Sequence, residues 1–133
     1  MTSPVFHLPE DLADRIITHC LAALPDEGCG LFACDGDDRV VAVYSTSNQS
    51  PSPVSYTVPP EEHFAALQHA EAAGWRLGGV FHSHPFGSAE LSMVDLQAAV
   101  EPEWVYLIVG MRGTPEIRAW CAQGGEVEEM EIE

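Results

Sequence analysis

The end of the chain places the strongest constraint on how it can fold. Three strand-like runs, at 104–111, 116–122 and 126–132, follow one another there. Only a few residues separate each run from the next, whereas a parallel crossover needs about a dozen or more. The three strands are therefore expected to pair in an antiparallel manner.

The rest of the chain alternates helical and strand patterns. Apolar residues at helical spacing predict a first helix over 9–23, with Pro9 in its first turn. The following patterns predict a hairpin from "GLFAC" and "RVVAVYST", a short edge strand at 54–58, a helix from Pro60 ended by Gly74, a strand over 76–84 and a short helix from Ser92. We expect an α/β fold, a mixed and largely antiparallel sheet flanked by helices, in a single domain over 1–133.

The charge of the chain excludes one broad class of partner. The sequence has 21 acidic and 5 basic residues, for a formal net charge of −16. A nucleic acid backbone is bound by a positive patch that displaces counterions, so we expect no nucleic acid partner.

No segment indicates export or insertion into a membrane. The N-terminal residues lack the basic flank and apolar block of a signal peptide, and no run reaches the roughly 20 apolar residues that span a bilayer. The four cysteines include no C-x-x-C pair. We therefore expect a cytoplasmic protein with reduced thiols and no membrane partner.

Two histidines, His82 and His84, stand one residue apart at the end of the predicted strand over 76–84. Side chains alternate between the faces of a strand, so these two imidazoles point the same way and Ser83 points the other way. Two imidazoles on one face are a ready pair of zinc ligands. The pair alone is weak evidence for a metal, because H-x-H also occurs by chance at strand ends.

Ser92 and Asp95 allow two interpretations. A catalytic zinc commonly has three protein ligands and keeps its fourth position for water, so Asp95 is a candidate third ligand. The S-x-x-D spacing is equally typical of a capping box, in which the serine and the acid each bind a backbone N–H at the start of a helix. Both can hold together, because a ligand on the first turn of a helix has a fixed direction.

A hydrolytic metal site also needs a base that is not a ligand. Glu27 is a candidate, since Pro25 and Gly28 flank it at the mouth of the first strand. Spacing alone does not favour it over the other acids, which include Asp26, Glu10 and Glu90.

The remaining reactive or aromatic side chains have simpler interpretations. Cys29 has no histidine in its own segment to activate it, so we expect a packed side chain rather than a nucleophile. We expect that none of the four other histidines, His7, His19, His63 and His69, is a metal ligand. We expect packing roles for the three tryptophans, Trp75, Trp104 and Trp120.

Taken together, Glu27, "HSHP" at 82–85 and "SMVD" at 92–95 resemble the signature of the JAMM (MPN-plus) metalloproteases: an upstream glutamate, H-[ST]-H, seven residues, then S-x-x-D. The likeness extends to "PDEGCGLF" and to the closing strands, and so covers nearly the whole chain. It implies a JAMM/MPN-like fold in which His82, His84 and Asp95 bind Zn²⁺. It further implies that Glu27 is the general acid/base and that Ser92 stabilises the oxyanion.

The resemblance also implies a substrate. Members of the family cleave the bond after the C-terminal Gly-Gly of ubiquitin-like proteins. A chain this small, without sizeable insertions, is similar to members that act on ubiquitin-like sulfur-carrier proteins and remove a C-terminal amino acid such as cysteine. The alternative is a non-catalytic, zinc-containing module that binds a ubiquitin-like partner, in which Glu27→Gln would leave function intact.

Overall fold

The structure is a computed structural model that describes residues 5–92, 95, 103–123 and 126–133. Seven strands and two helices lie within the described residues. In chain order they are β1 (Val5–Phe6), α1 (Glu10–Ala23), β2 (Cys29–Cys34), β3 (Val40–Thr46), α2 (Pro60–Ala72), β4 (Arg76–His84), β5 (Val105–Gly110), β6 (Glu116–Gln123) and β7 (Glu126–Ile132).

The strands form one mixed sheet in the order β1-β7-β6-β5-β4-β2-β3. Neighbours are antiparallel except for β4–β5 and β1–β7, which are parallel. His7, which follows β1, bridges to Arg39, which precedes β3. The two outer strands therefore approach each other, and the sheet curls.

Most of the predicted elements are confirmed. The closing strands β5, β6 and β7 pair antiparallel as their short connections require. The hairpin, the second helix and the strand ending in the two histidines are present. The first helix begins at Glu10, one residue later than predicted, because Pro9 is the N-cap residue and has a non-helical ψ of 144°. β1 was not predicted, since two residues carry no periodic pattern and pair only with the distant β7.

The predicted edge strand at 54–58 is wrong, because this segment is a loop. The Asn48 side chain binds its backbone: Oδ1 accepts from the N–H groups of Ser50 and Thr57, and Nδ2 donates to the Ser55 carbonyl. Backbone groups satisfied in this way need no neighbouring strand. The helix predicted from Ser92 lies outside the described residues apart from Ser92 and Asp95.

Two apolar clusters lie on opposite faces of the sheet. Alternate residues of β2 divide between them, Phe32 joining the cluster that includes Leu12 and Ile16 of α1, and Leu31 joining the cluster that includes Ala66 of α2. The three tryptophans pack against the α2 cluster, as expected. Among the described residues, no helix is long and apolar enough to cross a bilayer.

Candidate metal centre and active site

The end of β4 brings two imidazoles together on one face of the sheet. The Nε2 atoms of His82 and His84 lie 3.3 Å apart, close to the roughly 3.3–3.4 Å between two nitrogen ligands of a tetrahedral zinc with 2.0–2.1 Å bonds. Ser83 points to the other face, where its hydroxyl accepts a hydrogen bond from the Gly28 N–H. The alternation predicted from the sequence is confirmed.

Asp95 completes the cluster. Its Oδ1 lies 2.9 Å from His82 Nε2 and its Oδ2 lies 3.0 Å from His84 Nε2. All three residues offer ligand atoms within 4.8 Å of one another, so the group could hold a metal ion. Burial raises the pKa of Asp95, but its hydrogen bonds with the two histidines outweigh burial and hold that pKa well below its ordinary value. Asp95 is therefore ionised, as a metal-binding carboxylate has to be.

Hydrogen bonding orients the His84 ring. His84 Nδ1 lies 2.8 Å from the Ser88 carbonyl oxygen. Because a carbonyl oxygen only accepts, Nδ1 carries a proton. Burial lowers the pKa of His84, but its hydrogen bonds with Asp95 and the Ser88 carbonyl outweigh burial and raise that pKa. On metal binding, Nε2 would lose its proton and turn its lone pair to the ion. This arrangement, with a backbone carbonyl behind the ligand, is the one that metal-binding histidines adopt.

His82 is held differently. Its ring is 2% exposed and stacks on Tyr56 with centroids 4.5 Å apart and planes 18° from parallel. Burial lowers the pKa of His82 despite the opposing effect of Asp95, so the ring is neutral as metal binding requires. Its Nδ1 is buried and has no hydrogen-bond partner among the described atoms.

Ser92 and Asp95 form the reciprocal hydrogen bonds of a capping box. The Ser92 N–H donates to Asp95 Oδ2 at 2.9 Å, and the Asp95 N–H donates to Ser92 Oγ at 3.1 Å. The capping-box interpretation of the S-x-x-D spacing is confirmed. The same carboxylate also faces the two histidines, as a third ligand would. A hydroxyl that accepts from a backbone N–H still has its own proton to donate.

Glu27 lies beside the cluster because of the pairing of β2 with β4. Cys29 is opposite His82 in the register, which places Glu27, two residues earlier, at the end of β4. The loop before α2 fixes its backbone: the Glu27 N–H donates to the Ser52 carbonyl at 2.8 Å, and Asn48 Nδ2 donates to the Glu27 carbonyl at 3.1 Å.

The Glu27 carboxyl is buried and changes its protonation state near neutral pH. The residue is 4% exposed, and its Oε1 is buried without a hydrogen-bond partner among the described atoms. Burial raises the pKa of Glu27 to about 7, and Asp95 adds to the rise while His84 opposes it. A carboxyl with such a pKa can both take and return a proton.

Glu27 and Ser92 line the same cleft as His84, the histidine on the exposed side of the cluster. The cleft has a volume of about 250 Å³, and its lining consists of Glu27, Pro53, Val54, His84, Pro85, Phe86, Gly87 and Ser92. Of the four acids that spacing could not distinguish, Glu27 alone is in the described lining. The structure thus brings together all five residues that the sequence singled out.

The other sequence predictions for reactive groups agree with the structure. Cys29 is buried, and its Sγ donates to the Ser47 carbonyl. Burial raises the pKa of its thiol, which is the opposite of what a nucleophile needs. All four cysteines are free.

Sequence reasoning missed three supporting groups, namely Asn48 behind Glu27, Tyr56 on His82 and the Ser88 carbonyl behind His84. Asn48 and Tyr56 stand in a segment rich in serine and proline that looks like an ordinary loop. A backbone carbonyl leaves no trace in a sequence. The one signal in the sequence that could have drawn attention to this loop is Asn48, an asparagine among serines and prolines.

Comparisons with known proteins identify a matching family and several relatives of this chain. A family model described as prokaryotic homologs of the JAB domain matches residues 9–123. A desampylase of Haloferax volcanii is 35% identical over 99% of this chain and 98% of the relative. A probable TtuB-protein conjugate cleaving protease of Thermus thermophilus is 34% identical over 92% and 79%. A CysO-cysteine peptidase of Mycobacterium tuberculosis is 30% identical over 90% and 84%.

Solved structures share the fold. The solution structure of protein DSY2949 from Desulfitobacterium hafniense has a TM-score of 0.86 and 33% identity, covering 97% of this chain and 91% of that one. A structure described as a JAMM metalloprotease-like zinc site has a TM-score of 0.60 at 18% identity, covering 97% and 98%, which shows likeness of fold alone. The expected α/β architecture is confirmed.

Proposed function

The chain belongs to the family of prokaryotic homologs of the JAB domain, and we propose that it uses zinc, held by His82, His84 and Asp95, to hydrolyse the bond after the C-terminal Gly-Gly of a ubiquitin-like protein. Its relatives make it a peptidase of the metalloprotease type that acts on ubiquitin-like sulfur-carrier proteins and their conjugates. The assignment of individual residues is the proposal.

The donor set supports zinc. It comprises two imidazole nitrogens and a carboxylate, the His84 tautomer is fixed by a carbonyl, and Asp95 is ionised. Three protein ligands of these types are typical of catalytic zinc. When bound there, the ion would supply a Lewis acid that activates water and polarises the scissile carbonyl.

Glu27 and Ser92 supply the proton transfers and the charge stabilisation. Glu27 takes a proton from the attacking water and delivers it to the departing amine. The free hydroxyl proton of Ser92 points to the role of donor to the negative charge that develops on the carbonyl oxygen. Val54, Pro85 and Phe86 line the same cleft as Glu27.

The observation that carries the proposal is the buried Glu27 carboxyl in the same cleft as the histidine–aspartate cluster, with an oxygen that has no hydrogen-bond partner among the described residues. A module that used the metal only for structure would have no need of this unsatisfied acid.

The test is Glu27→Gln, which keeps the size of the side chain and removes its basicity. We expect cleavage of a carrier extended beyond its Gly-Gly end to fall by roughly 10²–10⁴-fold, with an unchanged zinc content per chain. Asp26→Asn is the matched control, because it removes the neighbouring acid that the cleft does not contain, and it should retain cleavage. Full cleavage by the zinc-loaded Glu27→Gln protein would overturn the role of Glu27. If the zinc-loaded wild type cleaves no extended carrier, the binding-module alternative is favoured.

A further inference from the structure

We propose that Ser83, the residue between the two histidines of the candidate metal centre, is a positioning residue that holds Glu27 in place relative to those histidines. Its hydroxyl acts through the backbone N–H of Gly28, on the face of β4 away from the histidines. The inference rests on the proposed function, in which Glu27 transfers the protons. The ligand set and the base explain His82, His84 and Glu27, but they leave the central serine of the H-S-H sequence unexplained.

The first observation is a hydroxyl on the apolar face of the sheet. Ser83 alternates with the two histidines along β4 and so shares its face with Phe81, which lies in the apolar cluster on the α1 side. The Ser83 residue is fully buried, at 0% exposure. A buried hydroxyl without a hydrogen-bond partner destabilises a fold, so a serine at this position needs a specific partner.

Two hydrogen bonds join Ser83 to Gly28, the residue after Glu27. The Ser83 N–H donates to the Gly28 carbonyl at 3.0 Å, and the Gly28 N–H donates to Ser83 Oγ at 2.9 Å. In a regular antiparallel pair, the second bond would go to the Ser83 carbonyl. The hydroxyl takes the place of that carbonyl where the regular pairing of β2 with β4 stops. Ser83 therefore joins the turn that carries Glu27 to the strand that carries the histidines.

The first helix closes the other side of Gly28. A Cβ atom at Gly28 would lie 2.9 Å from the Cα of Cys20, so the backbone of Gly28 packs directly against α1. Gly28 is buried, and its N–H has no acceptor other than Ser83 Oγ among the described residues. Loss of the hydroxyl would leave this N–H unsatisfied, and the turn could satisfy it only by moving.

The position of the Glu27 carboxyl depends on contacts of its backbone. Its Oε1 is buried and has no hydrogen-bond partner among the described residues. Ser52 and Asn48 hold the Glu27 backbone from the loop before α2. Ser83 holds it from β4, through Gly28. Because a displacement of about 1 Å can cost a reaction roughly 10²-fold in rate, the loss of this contact should lower kcat.

The test compares Ser83→Ala, which removes the hydroxyl, with Ser83→Thr, which keeps it, in cleavage of the extended carrier. We expect the kcat of zinc-loaded Ser83→Ala to fall by at least about tenfold, with KM and the zinc content per chain unchanged. Ser83→Thr should restore most of the wild-type kcat. A wild-type kcat in Ser83→Ala, or a kcat as low in Ser83→Thr as in Ser83→Ala, would overturn the inference.

Thr46→Val is the matched control for a loss of stability. Thr46 is also buried, and its hydroxyl donates to the Cys29 carbonyl at 3.2 Å, on the β3 side of β2. Ser83→Ala and Thr46→Val should both unfold at a lower denaturant concentration than the wild type, because each loses a buried hydrogen bond. Thr46→Val should keep the wild-type kcat. An equal fall of kcat in the two variants would overturn the inference, because a general loss of structure would explain it.

A double variant identifies the group through which Ser83 acts. Residues that act as one unit have non-additive effects on kcat. If Ser83 acts through Glu27, adding Ser83→Ala to Glu27→Gln should lower the residual kcat little further. A full multiplication of the two effects would contradict the proposed route.

A zinc titration of the metal-free proteins tests the other route, through the histidines. We expect Ser83→Ala and Ser83→Thr to bind zinc with the same affinity as the wild type. A weaker affinity in Ser83→Ala alone would show that the hydroxyl acts through His82 and His84, and would overturn the inference.

If Ser83→Ala yields no folded protein, Ser83→Cys takes its place, because a thiol is similar in size and a weaker hydrogen-bond acceptor. A reduced kcat at full zinc content would then support the inference, and a wild-type kcat would contradict it.

The outcomes separate this inference from the proposed function. If the zinc-loaded wild type does not cleave the extended carrier, the proposed function fails and the inference fails with it. If the wild type cleaves the carrier and Ser83→Ala cleaves it equally fast, the peptidase stands and the inference is wrong.

Discussion

Phe81 and His82 are neighbours on β4 and are almost equally buried, at 0% and 2% exposure, yet their surroundings have opposite chemistry. Phe81 points into the α1 cluster, where its ring meets His19 edge-on at 6.1 Å between centroids. His82 points to the other face and meets Tyr56 and Asp95. The α1 face stabilises the fold through complete apolar packing. The His82 side instead has two buried polar atoms, Glu27 Oε1 and His82 Nδ1, that have no hydrogen-bond partner among the described residues.

The largest expected effect is on the apolar α1 face. Phe81→Ala should destabilise the protein by about 3–5 kcal/mol, because it deletes a fully buried ring and leaves a cavity. Denaturant unfolding measures the loss. The exposed Phe64, at 59% exposure on α2, provides the control, and Phe64→Ala should be nearly neutral. Equal losses in the two variants would contradict the packing described for β4.

A substitution of Glu27 tests the polar surroundings on the His82 side. Its folded pKa of about 7 lies above the ordinary 4.5, so the ionised form is disfavoured in the folded protein. The resulting destabilisation is absent below pH 4.5, grows as pH rises and is complete above pH 7. In metal-free protein at pH 8, Glu27→Gln should therefore increase the free energy of unfolding, by at most about 3 kcal/mol. The gain should vanish at pH 4, and a gain independent of pH would show that burial of the charge is not the cause.

Zinc should stabilise the His82 face. Binding to the folded state alone adds about 2.7 kcal/mol at a free concentration one hundred times Kd. Thermal unfolding should shift upward with zinc in the wild type and much less in Asp95→Asn, which keeps the shape of the side chain and loses its charge. An equal shift in both proteins would place the metal elsewhere.

A substitution of Asn48 has the smallest expected effect, and it tests whether the loop before α2 positions Glu27. Asn48→Asp removes two donors, to the Glu27 and Ser55 carbonyls, and keeps the acceptor. We expect a loss of about 1–2 kcal/mol in stability and a lower kcat with little change in KM, because Glu27 is held less firmly. The adjacent, exposed Gln49 offers a control in Gln49→Ala. A change confined to KM would argue against a positioning role.

The two regions also differ in how far the sequence predicts them. Periodicity predicts the apolar face of α1 and the shared face of His82 and His84, because these are properties of local geometry. Glu27 could not be selected by spacing, because its place depends on the pairing of β2 with β4 across more than 50 residues of chain. The edge strand predicted at 54–58 failed because the side chain of Asn48 binds backbone groups that a strand would pair.

The central claim is a zinc-dependent hydrolysis at the His82–His84–Asp95 cluster. The most direct measurement is cleavage of a ubiquitin-like carrier joined through its Gly-Gly end to a lysine Nε, followed by intact mass before and after removal of metal. We predict that cleavage stops in the metal-free protein and returns with one equivalent of zinc per chain. Undiminished cleavage by protein shown to contain no metal would contradict the account.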